Sequence, residues 1–511
     1  MSASREKKNR QSDTSLNAKE RLAQEQASAA KRKRTIYTVI GIIAAIAVAA
    51  LLVWDSGIFQ KGATAMTVNG RDYTPGEVAY YYGTSRDQYS SYLQYMGYDS
   101  SLSDRDQIFD ESAQKTYYDL FMDGAKALMV QTAALSDAAK AAGVTLSEES
   151  IASVDFAIAE YESMASQYGY TMEGFLKANF GRYMTKDLLR SCLEESALAN
   201  QYYAEHAAAL TYDDAAVEAY YEENAAALDT YVYDVCYLSG TPETKTDADG
   251  NTVAATDEEK EAAMAEAKAD ADALAAASAS QFAVQATLLA EKNANSSFTA
   301  ENVVVGSSVS TTYRDWLTDS ARKDGDVTVI ESEGYGYYVI RFHDRYLDEE
   351  SFVTAGIRHI LVKADVAEGA SEPTAEAMNI AKEQAQALLD EFNLGARTGE
   401  AFGELAKEYS DDPGSKDNGG LYEGVTRSTS FFPDFLNWIF ASGRKVGDTG
   451  LVENTQSGQQ GWHVMYLDSA EGLVWKETAT NALLSADLQT WLEGLQSGYE
   501  AVEGSGIKYV G

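Results

Sequence analysis

The residues best suited to chemistry are concentrated between positions 357 and 464. In order, this stretch contains a strand-like segment with His359, an F-x-x-L-A-x-x-Y-S-D-D segment ending at Asp412, Gly419-Gly420 followed by Leu421, a phenylalanine cluster (Phe431, Phe432 and Phe435) and a second strand-like segment with Trp462 and His463. Imidazoles and carboxylates exchange protons or hold hydrogen bonds, while clustered aromatics form apolar walls. The combination predicts a polar site beside an apolar pocket.

Several other kinds of site are disfavoured. Ser410, His359 and Asp412 suggest a hydrolase triad, but no nucleophile elbow or oxyanion motif accompanies them. The chain has four histidines and two cysteines, which excludes a zinc site of Cys₄ or Cys₂His₂ spacing. Residues 247–251 (DADGN) faintly resemble a calcium loop without its sixth-position glycine and twelfth-position glutamate, so a hairpin-like turn is predicted. We expect no metal and no cofactor.

Taken together, the motifs resemble the parvulin-type peptidyl-prolyl isomerase domain, across residues 355–469. That family has an opening strand ending in His-Ile-Leu, a central F-x-x-L-A-x-x-Y-S-x-D stretch, a G-G-x-L turn and a closing strand with glycine, a bulky apolar residue and histidine. Residues 422–434 are longer than usual, and WIFASGRKVGD replaces the usual F-x-L-x-x-G stretch. The whole chain resembles extracytoplasmic PrsA- or SurA-like foldases, which join a helical chaperone domain to one or two parvulin units.

The resemblance implies roles for individual residues. His359 and His463 match the paired histidines at the centre of the parvulin sheet, and Asp412 matches the position beside them that holds Asp or Cys, which makes these three the predicted catalytic residues. The implied substrate-binding residues, forming an apolar wall around the proline ring, are Leu421, Phe431, Phe435 and Trp462.

Isomerisation of an X-Pro bond fits such a site. The reaction makes and breaks no bond, but its barrier is about 18–20 kcal/mol and it takes tens of seconds unaided. Catalysis therefore requires binding the twisted amide better than either planar form. An apolar pocket favours the less polar twisted state, and two neutral imidazoles can set the orientation of Asp412 through a chain of hydrogen bonds.

The charge distribution divides the chain into two parts. The net charge is −38, but residues 1–34 carry ten basic and four acidic residues, which leaves −44 for the chain from Asp55 onward. A field of this sign repels nucleic-acid phosphates, so we expect no nucleic-acid partner. The negative charge attracts basic segments, although solubility outside the cell is a simpler reason for a charge of this size.

Residues 35–54 form an uncharged, mostly apolar segment directly after a Lys-Arg-Lys-Arg run. Twenty residues of helix span a hydrocarbon core of about 30 Å, and the basic run predicts a cytoplasmic N-terminus. A cleaved signal peptide has a shorter apolar core, and the A-x-A-like site at 63–65 lies well beyond it. We therefore predict a basic cytoplasmic tail (1–34), an uncleaved transmembrane helix (35–54) and an extracytoplasmic remainder.

The fold class predicted for the remainder is α+β. Residues 60–228 read as a helical chaperone domain, with helices at 109–142, 148–168, 184–208 and 212–227. Residues 470–511 read as a helical tail with an amphipathic helix around 482–500. Cys192 and Cys236 fall in different predicted domains, and either a disulfide or two separate buried thiols fits the sequence.

Residues 229–347 and 355–469 read as two copies of one unit, each running from a strand through helices (257–290 and 374–393) to late strands. Trp316 aligns with Trp438, and each copy then has Arg-Lys and Gly-Asp. The alignment places His359 opposite Cys236 and His463 opposite Tyr338. The first copy also lacks the Y-S-x-D and G-G-x-L stretches, so we predict a degenerate, catalytically silent parvulin-like unit.

These observations predict a membrane-anchored peptidyl-prolyl isomerase and chaperone that acts on unfolded or newly translocated polypeptides with X-Pro bonds outside the cytoplasm. The alternative is a non-catalytic holding chaperone or envelope scaffold that uses the parvulin units only for binding. Loss of the histidine pair would favour this alternative, but the second copy keeps both histidines.

Overall fold

A computed structural model describes residues 18–55, 57–243, 245–246 and 252–511. The calcium-loop-like segment 247–251 and the first half of the basic tail, residues 1–17, lie outside these residues. The described chain is α+β, as predicted, and divides into two compact units. One unit holds the chain up to Leu210 together with Asp487–Gly511, and the other holds Thr211–Ala486.

The first helix, α1 (Ala18–Asp55), contains the predicted apolar segment. Within it, Glu25–Leu51 is long and apolar enough to cross a membrane and is exposed throughout. A 27-residue helix at 1.5 Å per residue is about 40 Å long, enough for a bilayer core.

The rest of the first unit is mainly helical, around an aromatic core that includes Tyr81, Tyr117 and Phe121. Its elements are α2 (Ile58–Lys61), β1 (Met66–Val68), β2 (Arg71–Tyr73), α3 (Pro75–Gln88), β3 (Ile108–Asp110), β4 (Lys115–Thr116), α4 (Tyr117–Ala141), α5 (Glu148–Gln167), α6 (Met172–Phe180) and α7 (Lys186–Ala209), with the C-terminal β15 (Ala501–Glu503) pairing with β1.

Two helix boundaries differ from the sequence prediction. The helix expected over 109–142 begins at Tyr117, because β3 and β4 form a small hairpin before it and Thr116 caps it in a capping box with Asp119. Ser147 caps α5. The C-terminal helix expected over 482–500 is α15 (Val474–Gln496), which begins eight residues earlier.

The second unit contains two four-stranded antiparallel sheets with the same strand order. The first is β8–β5–β10–β9 and the second is β12–β11–β14–β13. The elements are α8 (Asp214–Leu228), β5 (Thr230–Ser239), β6 (Lys245–Thr246), β7 (Thr252–Val253), α9 (Asp257–Ala275), α10 (Ala279–Ala290), β8 (Ser297–Val305), α11 (Arg314–Leu317), β9 (Val327–Ser332), β10 (Gly336–Tyr346), β11 (Phe352–Lys363), α12 (Ala375–Leu394), α13 (Gly399–Tyr409), β12 (Leu421–Val425), α14 (Pro433–Ile439), β13 (Thr449–Asn454) and β14 (Gly461–Leu473). The helical stretch expected over 257–290 consists of two helices, with extended Ser278 between them.

Strand register corrects the alignment of the two copies. Gly336 pairs with Ser239 in the first sheet, and Gly461 pairs with Lys363 in the second. Counting from these pairs, His463 corresponds to Tyr338, as aligned, but His359 corresponds to Val235. The alignment with Cys236 is wrong by one residue, and one residue moves a side chain to the other face of a sheet.

The two cysteines are free and buried, one in each unit. Cys236 packs on the helix-covered face of its sheet, with Ala267 and Phe282. Cys192 belongs to the aromatic core of the first unit.

Candidate active site

The two central strands of the second sheet place His359 and His463 on one face. Side chains alternate along a strand, so Ile357, His359 and Leu361 of β11 face one way while Arg358 and Ile360 face the other. On β14, His463 shares its face with Met465 and Leu467, which pack with Ile357. The opposite face is covered by α12 and α13.

The two imidazoles contact each other directly, with their Nδ1 atoms 2.9 Å apart. His359 is 4% exposed and His463 is 5% exposed. A contact between two ring nitrogens at this distance requires one to donate and the other to accept, so the pair needs defined tautomers.

Asp412 completes the site from the loop that follows α13. Its Oδ2 lies 3.0 Å from Nε2 of His359 and accepts the Ser415 hydroxyl at 2.5 Å, while its Oδ1 accepts the Gly414 N–H at 3.1 Å. The hydrogen bond with His359 is the main cause that holds the pKa of Asp412 well below its usual range, against the opposing effect of burial. The carboxylate is therefore ionised at neutral pH.

Asn454, at the end of β13, fixes the direction of the network. Its Oδ1 accepts the backbone N–H of Gln456 at 2.9 Å, which leaves its Nδ2 facing Nε2 of His463 at 3.1 Å. His463 must then accept at Nε2 and donate from Nδ1 to His359, which in turn donates from Nε2 to Asp412. The tautomers are assigned from this network.

His463 is uncharged in this arrangement. Burial, reinforced by the neighbouring His359, lowers the pKa of His463 to about 3. A neutral ring fits the assigned tautomer, because protonation of Nε2 would set two donors, this nitrogen and the Asn454 amide, against each other.

Aromatic side chains form the wall of a cleft of about 390 Å³ over the histidine pair. The rings of Phe435 and Phe432 lie 5.3 and 5.5 Å from that of His463, and Phe431 lies 4.9 Å from Phe435. The other lining residues are His359, Leu361, Asp412, Tyr422, Ser430, Asn454, Gln456, Gln459 and His463. The cleft thus has an apolar wall, suited to a prolyl ring, and a polar floor.

Two residues predicted to bind substrate do not reach this cleft. Leu421 pairs with Arg358, which places it on the helix-covered face, and its neighbour Tyr422 lines the cleft instead. The apolar position of G-G-x-L falls two residues after the second glycine, which is Tyr422 here. Trp462 packs in the helix-side core under Lys382, whose ammonium lies 4.6 Å from its ring centroid. Both predictions are wrong because adjacent strand residues face opposite ways.

The geometry also argues against a hydrolase triad. The Ser410 hydroxyl accepts the backbone N–H groups of Leu361 and Asp412 and does not contact a histidine. Ser415 contacts His359 but donates its proton to Asp412, and Nδ1 of His359 is occupied by His463. Among the residues that the structure describes, no three His, Cys, Asp or Glu side chains form a metal-ligand group.

Sequence reasoning assigned no site role to four residues: Ser415, Tyr422, Phe432 and Asn454. Phe432 belongs to the phenylalanine cluster that was singled out and Ser415 follows the segment that ends at Asp412, so a wider reading of those segments would have included them. Asn454 has no local signal, because its role depends on the pairing of β13 with β14, where it lies opposite Gly461.

Comparison with known proteins identifies the domain. Residues 359–469 match the Rotamase family, described as the PPIC-type PPIASE domain. These residues form a parvulin-type domain. The match covers β11 from His359 through most of β14, and so includes both histidines, Asp412 and the aromatic wall.

Part of the chain also resembles known chaperones. Chaperone SurA of Alcanivorax borkumensis is 30% identical over 185 residues, which cover 34% of this chain and 39% of that protein. Chaperone SurA of Pseudomonas putida is 30% identical over 183 residues, with the same two coverages. The chain thus spans 39% of the length of these relatives. A crystal structure of the peptidylprolyl isomerase PrsA from Bacillus anthracis is 24% identical with a TM-score of 0.18, over 29% of this chain and 59% of that one.

Proposed function

We propose that this chain is a membrane-anchored, extracytoplasmic foldase whose parvulin domain catalyses cis–trans isomerisation of X-Pro bonds in unfolded or newly translocated polypeptides. The observation that carries the proposal is the hydrogen-bonded chain from Asn454 through both histidines to Asp412, under an aromatic wall. The match of residues 359–469 to the PPIC-type family supports it.

The site supplies what the twisted amide needs. Rotation about the X-Pro bond removes amide resonance, so the transition state is less polar than either planar form and is stabilised where water is excluded. The phenylalanine wall excludes water from the prolyl ring, while the fixed network holds Asp412 in one orientation. Lowering the barrier by about 4–7 kcal/mol would accelerate isomerisation about 10³- to 10⁵-fold.

The mostly helical unit is the proposed holding surface for clients. It exposes several large aromatic side chains, among them Tyr92 (63%), Tyr95 (81%), Phe156 (66%) and Tyr168 (68%). Exposed apolar groups of this number favour contacts with unfolded chains, which expose apolar side chains of their own. The charge of −44 from Asp55 onward adds an attraction for basic client segments that salt weakens.

The proposed topology has α1 crossing the membrane with the basic tail in the cytoplasm. The two native cysteines are buried, so single engineered cysteines can report on it. In intact cells, an impermeant maleimide should label Ser101→Cys, at an exposed position of the ectodomain, and should not label Ser15→Cys in the tail. Labelling of Ser15→Cys instead would reverse the topology.

The full-length chain in detergent micelles, assayed on a panel of X-Pro peptides, tests the function. We expect accelerated isomerisation together with suppressed aggregation of an unfolded client. A well-folded chain that suppresses aggregation and accelerates no peptide would favour the alternative, a holding chaperone whose parvulin units only bind.

A further inference from the structure

We propose that Tyr422 is a positioning residue for isomerisation: its hydroxyl holds Asp412, and its ring forms part of the proline cleft. The inference rests on the proposed function, because it assigns a role within the same reaction. The G-G-x-L motif has an apolar residue at this position, so it gave no indication of a hydroxyl that contacts Asp412.

The backbone before β12 brings Tyr422 beside His359. Gly420 has a φ of +70°, and a Cβ at this position would lie 2.2 Å from the carbonyl oxygen of His359. Only glycine permits this approach, which is locked by the hydrogen bond from His359 N–H to the Gly420 carbonyl. Tyr422 then pairs with Ile357, and its side chain shares the face of the histidines.

The Tyr422 hydroxyl donates to Oδ2 of Asp412 at 3.2 Å. The other groups that contact Oδ2 are Nε2 of His359 and the Ser415 hydroxyl, and both residues are buried. Tyr422, His359 and Asp412 all line the cleft, whereas Ser415 does not. The tyrosine is therefore the partner besides His359 that holds the carboxylate from the cleft side, where a bound substrate would otherwise draw it away from His359.

The Tyr422 ring has a separate role from the hydroxyl. Its centroid lies 5.5 Å from the His359 ring at an interplanar angle of 29°, and 5.2 Å from the Phe431 ring at 72°. The ring thus bridges the histidine pair and the phenylalanine wall. Aromatic pairs at these distances contribute to packing as well as to the apolar surface offered to a ligand.

Because the two roles use different parts of one side chain, two substitutions separate them. Tyr422→Phe keeps the ring and removes the hydroxyl that holds Asp412, so kcat should fall about 3- to 10-fold with KM within about two-fold of the original chain. Tyr422→Leu removes both, so KM should also rise about 3- to 10-fold. Tyr466→Phe is the matched control, since Tyr466 is a buried tyrosine on the helix-covered face.

A second readout does not depend on activity. The chain has four histidines, so ¹⁵N labelling of histidine rings in the full-length protein gives few signals. Loss of the hydrogen bond from the Tyr422 hydroxyl to Asp412 in Tyr422→Phe should shift the Nε2 signal of His359, because Asp412, the acceptor of that nitrogen, is then free to move. Tyr466→Phe should leave that signal unchanged, and circular dichroism should show every variant folded.

The outcomes are decisive in each case. A lower kcat with a shifted His359 signal in Tyr422→Phe supports the role of the Tyr422 hydroxyl in holding Asp412. An unchanged kcat, or an unmoved His359 signal, in folded Tyr422→Phe overturns it. If the unsubstituted chain isomerises no peptide, the proposed function fails, while the His359 signal still decides whether Tyr422 holds Asp412.

Discussion

The side-chain amide of Asn454 donates to Nε2 of His463 across 3.1 Å, and the backbone N–H of Gln456 fixes which end of that amide faces the ring. A backbone group far from the carboxylate thereby determines the tautomers of both histidines. The proton on Nε2 of His359 points at Asp412 as a consequence.

Reversing the polarity of Asn454 should disturb the whole chain of hydrogen bonds. Asn454→Asp keeps the shape of the side chain but replaces the donor by an acceptor, so Nε2 of His463 should gain a proton. We expect kcat to fall about 10- to 100-fold, because the network then lacks its assigned tautomers. The ¹⁵N shift of Nε2 of His463 should change to that of a protonated nitrogen.

Asn437→Asp is the control for this experiment, because Asn437 is exposed on α14. It adds the same charge to the same domain and should leave kcat unchanged. An Asn454→Asp protein with normal kcat and an unprotonated Nε2 of His463 would contradict the tautomers assigned to the hydrogen-bond network.

The aromatic wall can be tested by comparing Phe432 with Trp462. Phe432→Ala opens the wall beside His463, so KM should rise about 3- to 10-fold, because the prolyl ring loses apolar contact. Trp462→Phe changes a side chain on the helix-covered face and should leave both KM and kcat unchanged. An equal rise in KM for the two variants would mean that the cleft is not where the proline binds.

The low pKa of His463, about 3, predicts how stability depends on pH. In the unfolded chain a histidine has a pKa of about 6.5, so between those values the unfolded chain holds a proton that the folded domain does not. The free energy of unfolding should therefore fall as pH falls through this window, by up to about 1.4 kcal/mol per pH unit from this residue.

Hydrogen exchange of peptides from β11 and β14, corrected for intrinsic rates, measures this effect at pH 7 and pH 4.5. His463→Gln should weaken the pH dependence of protection in these strands. The same pH dependence in the folded variant and the original chain would show that His463 does not cause it.

Motifs in the sequence led to the three residues proposed as catalytic, and His359, Asp412 and His463 do meet in one network. The face of the sheet on which each side chain lies was harder to predict. Leu421, Trp462 and Cys236 are each one residue away from a position on the site face, and each lies on the opposite face. Because side chains alternate along a strand, an error of one residue always moves the side chain to the other face. The contact of Asn454 with His463 could not be predicted from the sequence, because strand pairing, rather than a local pattern, brings the two residues together.

The first sheet of the second unit should make no contribution to catalysis. Its equivalents of His359 and His463 are Val235 and Tyr338, which pack with Tyr233 and Tyr313. Tyr338→Phe should leave kcat/KM on every peptide of the panel unchanged, whereas His463→Ala at the equivalent position should abolish turnover. A measurable loss in Tyr338→Phe would show that the first sheet takes part.

Exchange spectroscopy of an X-Pro peptide with the full-length chain, beside Asp412→Ala and Asp411→Ala, tests the central claim most directly. The two aspartates are neighbours, but the Asp411 carboxylate accepts the Lys363 backbone N–H, outside the histidine network. We expect exchange cross-peaks with the original chain and with Asp411→Ala, and none above the uncatalysed level with folded Asp412→Ala. Undiminished exchange in Asp412→Ala, or no exchange with the original chain, would contradict an isomerase centred on this network.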